Sequence, residues 1–498
     1  MIATIRSAAV RGVEGYPVAV ELDLSGGVPY YATVGLPDSA VRESRERVAS
    51  ALRNSGYKFP AQRIIVNLAP AERRKRGTQF DLPVSLGMLA ASGQIAAGDW
   101  MRRYWFLGEL ALDGRVKPVS GVLPMAAAAR AAGADGVVVA RDNSSEAAAV
   151  GIAAFGVATL EEAARFVTGR LAVASSRAAG PGAEAGRLPD LAEVRGQALA
   201  RRALEVAAAG GHHLLLTGPP GCGKSMLARR LPGLLPPLAR PEALELAKLL
   251  SVSGALAPGA WPSGRPFRSP HHSASAASLI GGGKPCRPGE ASLAHGGVLF
   301  LDELPEFARD ALEALRVPLE TGRAAVARVH ERLEYPAAFQ LVAARNPCPC
   351  GYLGHPSRPC ACSPRETARY RAKVSGPLLD RIDLRVELAP IAFGEWAGAA
   401  PGESSAGVRE RAVAARERAA LRLGPGRTNS AMTLEEVRRD CALDPESRGL
   451  LERAAERFEL SARALDRTLR VARTLADLAG DRDVRAPHLA EAARLTTG

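Results

Sequence analysis

Gly218-Pro219-Pro220-Gly221-Cys222-Gly223-Lys224-Ser225 fits the pattern GxxxxGK[ST] without a mismatch. It follows the short apolar run His213–Thr217 and leads into the helix-like Met226–Leu231, which is the strand, loop and helix context that a phosphate cradle requires. Glycines let backbone N–H groups turn inward around phosphates, and the helix start adds partial positive charge. Lys224 would reach the β- and γ-phosphates of a nucleotide, and Ser225 would hold Mg²⁺. A glycine-rich turn matching by chance would not need that flanking pattern.

Hydrolysis needs more than a cradle. The run Val298-Leu-Phe-Leu301 ends in Asp302-Glu303, where Asp302 suits Mg²⁺ and Glu303 suits orientation or deprotonation of an attacking water. Gln340–Arg345 is another apolar run, with Asn346 just beyond it; the amide could meet the water or the γ-phosphate, or could simply serve the turn. Two residues later come Cys348-Pro-Cys350 and, nine residues on, Cys360-Ala-Cys362. Four thiolates satisfy a closed tetrahedral Zn²⁺ site, although C-x-C is a less usual spacing than C-x₂-C and four reduced thiols are the alternative. His355 is a substitute ligand. Such a metal would be structural, bracing the loop after Asn346.

In order, GPPGCGKS, LFLDE, AARNP and GPLLDRIDL resemble an AAA+ ATPase of the magnesium-chelatase-like group, with a hairpin inserted before the strand that ends at Asn346. That resemblance implies ATP and Mg²⁺ as cofactors. It implies that Arg381 reaches a neighbouring subunit's nucleotide as an arginine finger, that the working unit is a homo-hexameric ring, and that a second arginine acts from the C-terminal lid. Arg463 is favoured for that second role, with Arg467 and Arg470 on adjacent turns as alternatives. It also places two basic stretches along the pore, Arg265–His272 with Arg268, His271 and His272, and Arg323–Arg332 with Arg328, His330 and Arg332. Basic side chains there could track nucleic-acid phosphates, or could hydrogen-bond their own loops.

Residues 106–146 resemble the proteolytic domain of Lon, which needs a Ser nucleophile and a Lys. The serine position falls at Gln79 and the lysine position near Leu123, so the expectation is a Lon-like fold without peptidase activity. Taken over nearly the whole chain, the arrangement resembles the YifB/ComM family. That resemblance implies an ATP-driven DNA motor, a helicase promoting branch migration in recombination or natural transformation on single-stranded or branched DNA. Alternatives from other classes are a magnesium-chelatase-type ATPase subunit and a protein-remodelling ring without DNA activity. The Lon-like region argues against the chelatase, whose likeness is expected to cover residues 190–498 only.

The elements that must position these groups divide the 498 residues into about three domains at ~150 residues each. Short β-branched runs such as Arg63–Asn67 and Gly136–Ala140 alternate with helix-like Ser39–Asn54 and Met125–Ala132. The expected fold class is α/β: a Lon-like α+β domain at 1–170, a linker at 171–189, a parallel-sheet AAA+ domain at 190–397 and a helical domain at 398–498. The 17-residue uncharged stretch Leu82–Gly98 is broken by Pro83 and Gly87, so no transmembrane helix is expected there. The first residues lack the apolar core of a secretory signal, so a cytoplasmic protein with no membrane partner is expected. The net charge of +13 rests on 65 basic residues, only seven of them lysine. Arginine in an alanine-rich chain reflects genomic composition as readily as a nucleic-acid partner.

Overall fold

Runs of Val, Ile and Leu too short for helices and bounded by Gly or polar residues form the strands of two sheets. The computed structural model describes residues 2–178, 180, 188–283, 286–328, 331–390 and 402–497. The chain forms two compact units, Met1–Ala183 with Arg240–Ser263, and Glu184–Ala239 with Gly264–Gly498.

The first unit is built on a seven-stranded sheet, in the spatial order Tyr30–Val34, Arg63–Ala69, Glu14–Ser25, Ile2–Arg11, Tyr104–Leu107, Gly136–Ala140, Ala153–Val157. Antiparallel pairing of Ile2–Arg11 with Glu14–Ser25, and of the latter with Arg63–Ala69, gives way to parallel pairing through the last four strands. Gln79 and Leu123 are both buried. Gln79 donates from Nε2 to the Arg76 carbonyl at 2.9 Å, and Leu123 lies in the helix Val122–Ala131.

The helix Arg240–Ser253 packs within this first unit, although the linear reading put it inside an uninterrupted 190–397 domain. Its buried residues include Ala243, Leu246, Ala247 and Leu249, and Ala247 joins a core with Leu123 and Met125. A polar clasp completes the packing. Ser251 Oγ donates to Glu146 Oε1 at 2.5 Å, Asn143 Nδ2 donates to Glu146 Oε2 at 3.1 Å, and the Leu123 N–H donates to Glu146 Oε1 at 3.1 Å. Burial pushes the Glu146 carboxyl above its ordinary value, against the pull of these donors.

The second unit carries a five-stranded sheet, all parallel, in the order Phe267–Arg268, Val298–Leu301, Gln340–Arg345, Leu214–Thr217, Leu384–Glu387. Both faces are covered, as parallel sheets require. Leu214, Leu216, Val342 and Ala344 enter one core, while Leu215, Leu299, Leu341 and Ala343 enter the other. The first of these cores also contains Val408, Ala415, Val471, Leu475 and Leu489. The C-terminal helices therefore share a core with the sheet and do not stand as a separate body. A two-stranded hairpin, Arg323–Arg328 with Glu331–Pro336, precedes the strand leading to Asn346. The mixed α/β class, the parallel sheet and the helical C-terminal region are those expected from the sequence.

Candidate nucleotide site

Three neighbouring parallel strands end at one edge of the second sheet, and each delivers one part of the site just beyond its last residue. Leu214–Thr217 leads to the glycine-rich loop, Gln340–Arg345 to Asn346, and Val298–Leu301 to Asp302 and Glu303. Ligands of open α/β sheets bind at this carboxyl edge. Gly221 and Gly223 have φ of +79° and +92°, the left-handed region that a side chain would strain, and Gly223 caps the helix Lys224–Ala228.

Lys224 is nearly buried. Its Nζ donates to the carbonyls of Gly218 (2.7 Å) and Pro219 (2.8 Å) and to Asn346 Oδ1 at 3.1 Å. Ser225 Oγ donates to Asp302 Oδ2 at 2.6 Å, so the two predicted Mg²⁺ ligands already converge. Hard oxygen donors of this kind fit Mg²⁺. Glu303 has φ of +52°, an uncommon conformation for a residue with a side chain, and its N–H donates to Asp302 Oδ1 at 3.0 Å. Burial raises the Cys222 thiol, which lies 3.8 Å from Lys224 Nζ.

His272 is a residue whose position near the site the sequence did not reveal. Its Nδ1 sits 3.2 Å from Glu303 Oε2, and its ring lies 4.0 Å from that of His271. The two residues are 31 positions apart, and only the parallel pairing of Phe267–Arg268 with Val298–Leu301 brings them together. Arg268, a candidate for nucleic-acid contact, makes a two-pronged ion pair with Glu290 at 2.7 and 2.9 Å. Arg332 is exposed and 3.2 Å from Glu334. His330 and the side chain of Arg328 lie outside the described residues. The hairpin pairs Ala327 with Arg332 and Arg328 with Glu331.

Arg381 is held within its own chain, donating to the Pro377 carbonyl at 2.5 Å and to the Glu320 carboxylate. Burial, then the charges of Arg316 and Arg463, push its guanidinium below the ordinary arginine value. Arg463 is exposed at the start of the helix Ala462–Ala479, and its charge acts on Arg381. Arg467 is buried and reaches the Ile382 carbonyl at 3.5 Å; Arg470 is half-buried.

The Sγ atoms of Cys348, Cys350, Cys360 and Cys362 all lie within 4.8 Å of one another. The separations are 3.4 Å for Cys348–Cys350 and 3.6 Å for both Cys348–Cys360 and Cys350–Cys360. A Zn–S length of about 2.3 Å gives a tetrahedral edge of about 3.8 Å, so the donor set fits zinc. N–H groups of Tyr352 and Ala361 bring the Cys350 thiol down to about 6. His355 is not among the clustered ligand atoms, and its Nδ1 accepts the N–H groups of Ser357 and Arg358.

Three family descriptions match the chain: magnesium chelatase, subunit ChlI, over residues 190–395; subunit ChlI of Mg-chelatase, over 20–143; and the ChlI C-terminal region, over 402–496. The second extends the chelatase description into the N-terminal region, where the sequence reading expected that likeness to stop. Competence protein ComM of Haemophilus influenzae is 44% identical over 499 residues, covering 99% of this chain and 96% of that protein. YifB of Escherichia coli is 44% identical over 494 residues, with the same coverage. A Mycobacterium tuberculosis relative is 47% identical over 486 residues, 95% of this chain and 94% of its own.

Proposed function

Because the chain belongs to the magnesium-chelatase-like AAA+ ATPase family that includes YifB and ComM, we propose that it is an ATP-driven DNA motor, a helicase acting on branched or single-stranded DNA as a homo-hexameric ring in the cytoplasm. The observation that carries the ATPase part is the convergence of Lys224 with Asn346 and of Ser225 with Asp302 at one sheet edge. The competence in one relative's name supports the DNA part.

In this reading Lys224 exchanges its loop carbonyls for β- and γ-phosphate oxygens. The N–H groups of the loop from Gly218 to Gly223, with Pro219 and Pro220 shaping the turn and Cys222 packed beneath, cradle the phosphates. Ser225 and Asp302 would hold Mg²⁺, which would supply Lewis-acid charge stabilisation to the phosphates. Glu303 orients the attacking water and accepts its proton, and Asn346 fixes the geometry from the adjacent strand. Arg381 of one copy stabilises the γ-phosphate charge in the next, with Arg463 beside it. The four cysteines hold a structural zinc. The N-terminal unit serves binding or assembly and is no peptidase, since Gln79 and Leu123 offer neither nucleophile nor base; casein cleavage lost on mutating this unit would refute that.

The deciding measurement is ATP hydrolysis with and without DNA at several salt concentrations. Stimulation that falls steeply with salt, unwinding of a labelled three-strand junction, and loss of all of these in Lys224→Ala are expected. ATPase activity indifferent to DNA would favour the protein-remodelling ring, a reading to which the Arg268–Glu290 pair lends weight by removing one free cation from the pore stretch.

A further inference from the structure

We propose that the four-cysteine centre is a wall of the nucleotide site: zinc held by Cys348, Cys350, Cys360 and Cys362 fixes the loop that presents Asn346 to Lys224 and seats Gly351 on Pro220, so metal occupancy sets nucleotide affinity. The inference rests on the nucleotide reading above and adds a dependence that the phosphate-loop motif does not contain.

Residues 347–362 form neither helix nor strand, and only Cys348 and Gly351 among them are buried. A 16-residue loop of this kind has no apolar core to offset the conformational entropy of ordering it. The thiol cluster is the cross-link that can do so. It joins the loop's first turn to its last, because Cys348 and Cys350 lie at one end and Cys360 and Cys362 at the other. Beyond Cys362, Ser363 caps the helix Pro364–Arg371 in a reciprocal pair with Glu366, so the loop is anchored in regular structure on both sides. Thiolates select a soft ion, and four of them leave no open position for a catalytic water.

Two contacts connect this loop to the nucleotide site. Asn346 Oδ1 accepts from Lys224 Nζ at 3.1 Å, two residues before the first cysteine. Gly351 lies so close to the phosphate loop that a Cβ there would stand 2.6 Å from Pro220 Cδ, and its φ is +85°. Pro220 is the third residue of the motif, so the loop carrying the metal ligands presses on the turn that shapes the cradle. Without metal, the restraint on Asn346 and on Pro220 is lost together, and the competent fraction of the site falls.

The test uses the purified full chain, zinc quantified by elemental analysis, and a fluorescent ATP analogue to read affinity. One zinc per chain is expected. Stripping it should weaken nucleotide binding about tenfold or more, as when a tenth of the sites stay competent, with helix content retained and affinity restored by added zinc. Gly351→Ala should keep its zinc and still lose affinity. Cys360→Ser should lose both, while Cys286→Ser, outside the cluster, should lose neither. Zinc-free protein that binds the analogue as tightly as the loaded form would overturn the proposal, as would protein isolated without metal. Loaded, folded protein that binds no analogue at all would overturn the nucleotide reading itself, and this inference with it.

Discussion

Glu303 shows what a single contact can control. If Glu303 orients the attacking water as proposed, its carboxylate must be available to it, yet His272 Nδ1 already lies 3.2 Å away. Removing the imidazole frees that oxygen. At about 1 kcal/mol for one such hydrogen bond, His272→Ala should raise basal kcat about fivefold. KM for ATP should stay fixed, because Lys224 and Ser225 are untouched, and a steady-state ATPase assay separates the two. Unchanged kcat would leave His272 a loop-bracing residue. Lys224, Ser225, Asp302 and Glu303 were legible in the sequence because each is dictated by its neighbours in one short motif. His272 and Glu320 were not, since only the fold brings them to Glu303 and Arg381, 31 and 61 residues away. Arg268 could be read only as a candidate nucleic-acid contact, because its partner Glu290 lies 22 residues away and a sequence shows a charge without showing what neutralises it.

At the level of elements, a buried polar chain ties the start of the strand Leu214–Thr217 to the C-terminal helices. His212 Nδ1 faces Asp383 Oδ2 at 3.0 Å and its Nε2 faces Thr474 Oγ1 at 2.8 Å. Asn429 Nδ2 donates to Thr474 Oγ1 and, at 2.7 Å, to Asp477 Oδ2. Burial alone would raise the Asp383 carboxyl. The hydrogen bond and charge of His212, then the charges of His213 and Arg467, outweigh it and hold the group below its ordinary 3.8. A depressed carboxyl contributes stability that is fully present above about 3.8 and is lost as pH falls through the lower folded value. Asp383→Ala should therefore cost roughly 3 kcal/mol at pH 7. Melting curves of the two proteins should converge as the pH falls through that lowered folded value; a gap that persists below it would assign the loss to packing. Sequence patterning found the strands Leu214–Thr217, Val298–Leu301 and Gln340–Arg345 to within a few residues, because hydrophobic period reports secondary structure directly. It could not say which core the helix Arg240–Ser253 joins, since an apolar stripe reads the same whatever covers it.

For the whole molecule, the ring reading makes a quantitative claim about mixtures. If Arg381 completes the site of a neighbouring copy, Lys224→Ala and Arg381→Ala chains are each inactive alone. Mixed in equal amounts, they should recover about a quarter of wild-type hydrolysis, since one interface in four pairs an intact Lys224 with an intact Arg381 in a head-to-tail ring. Mixtures that stay inactive would place Arg381 in its own chain's chemistry. The net charge of +13 carried little of this. Many of the arginines are spent within the fold, as in Arg422 and Arg473 on Asp477 and Arg411 on Glu205 and Glu403. Dividing length by a typical domain size suggested three bodies, whereas the C-terminal helices and the parallel sheet fill one core.

The excursion of residues Arg240–Ser263 into the first unit bears on how this protein can be taken apart. The backbone passes between the units three times, near residues 183, 239 and 263, so a protease cutting only in the 171–189 stretch releases nothing. A fragment begun at residue 190 would carry Leu246, Ala247 and Leu249 with nothing to cover them, and such a stripe drives aggregation. The ATPase half is separable on paper at its most linker-like segment, but in the folded protein the two halves are sewn together and must be made, and kept, as one piece.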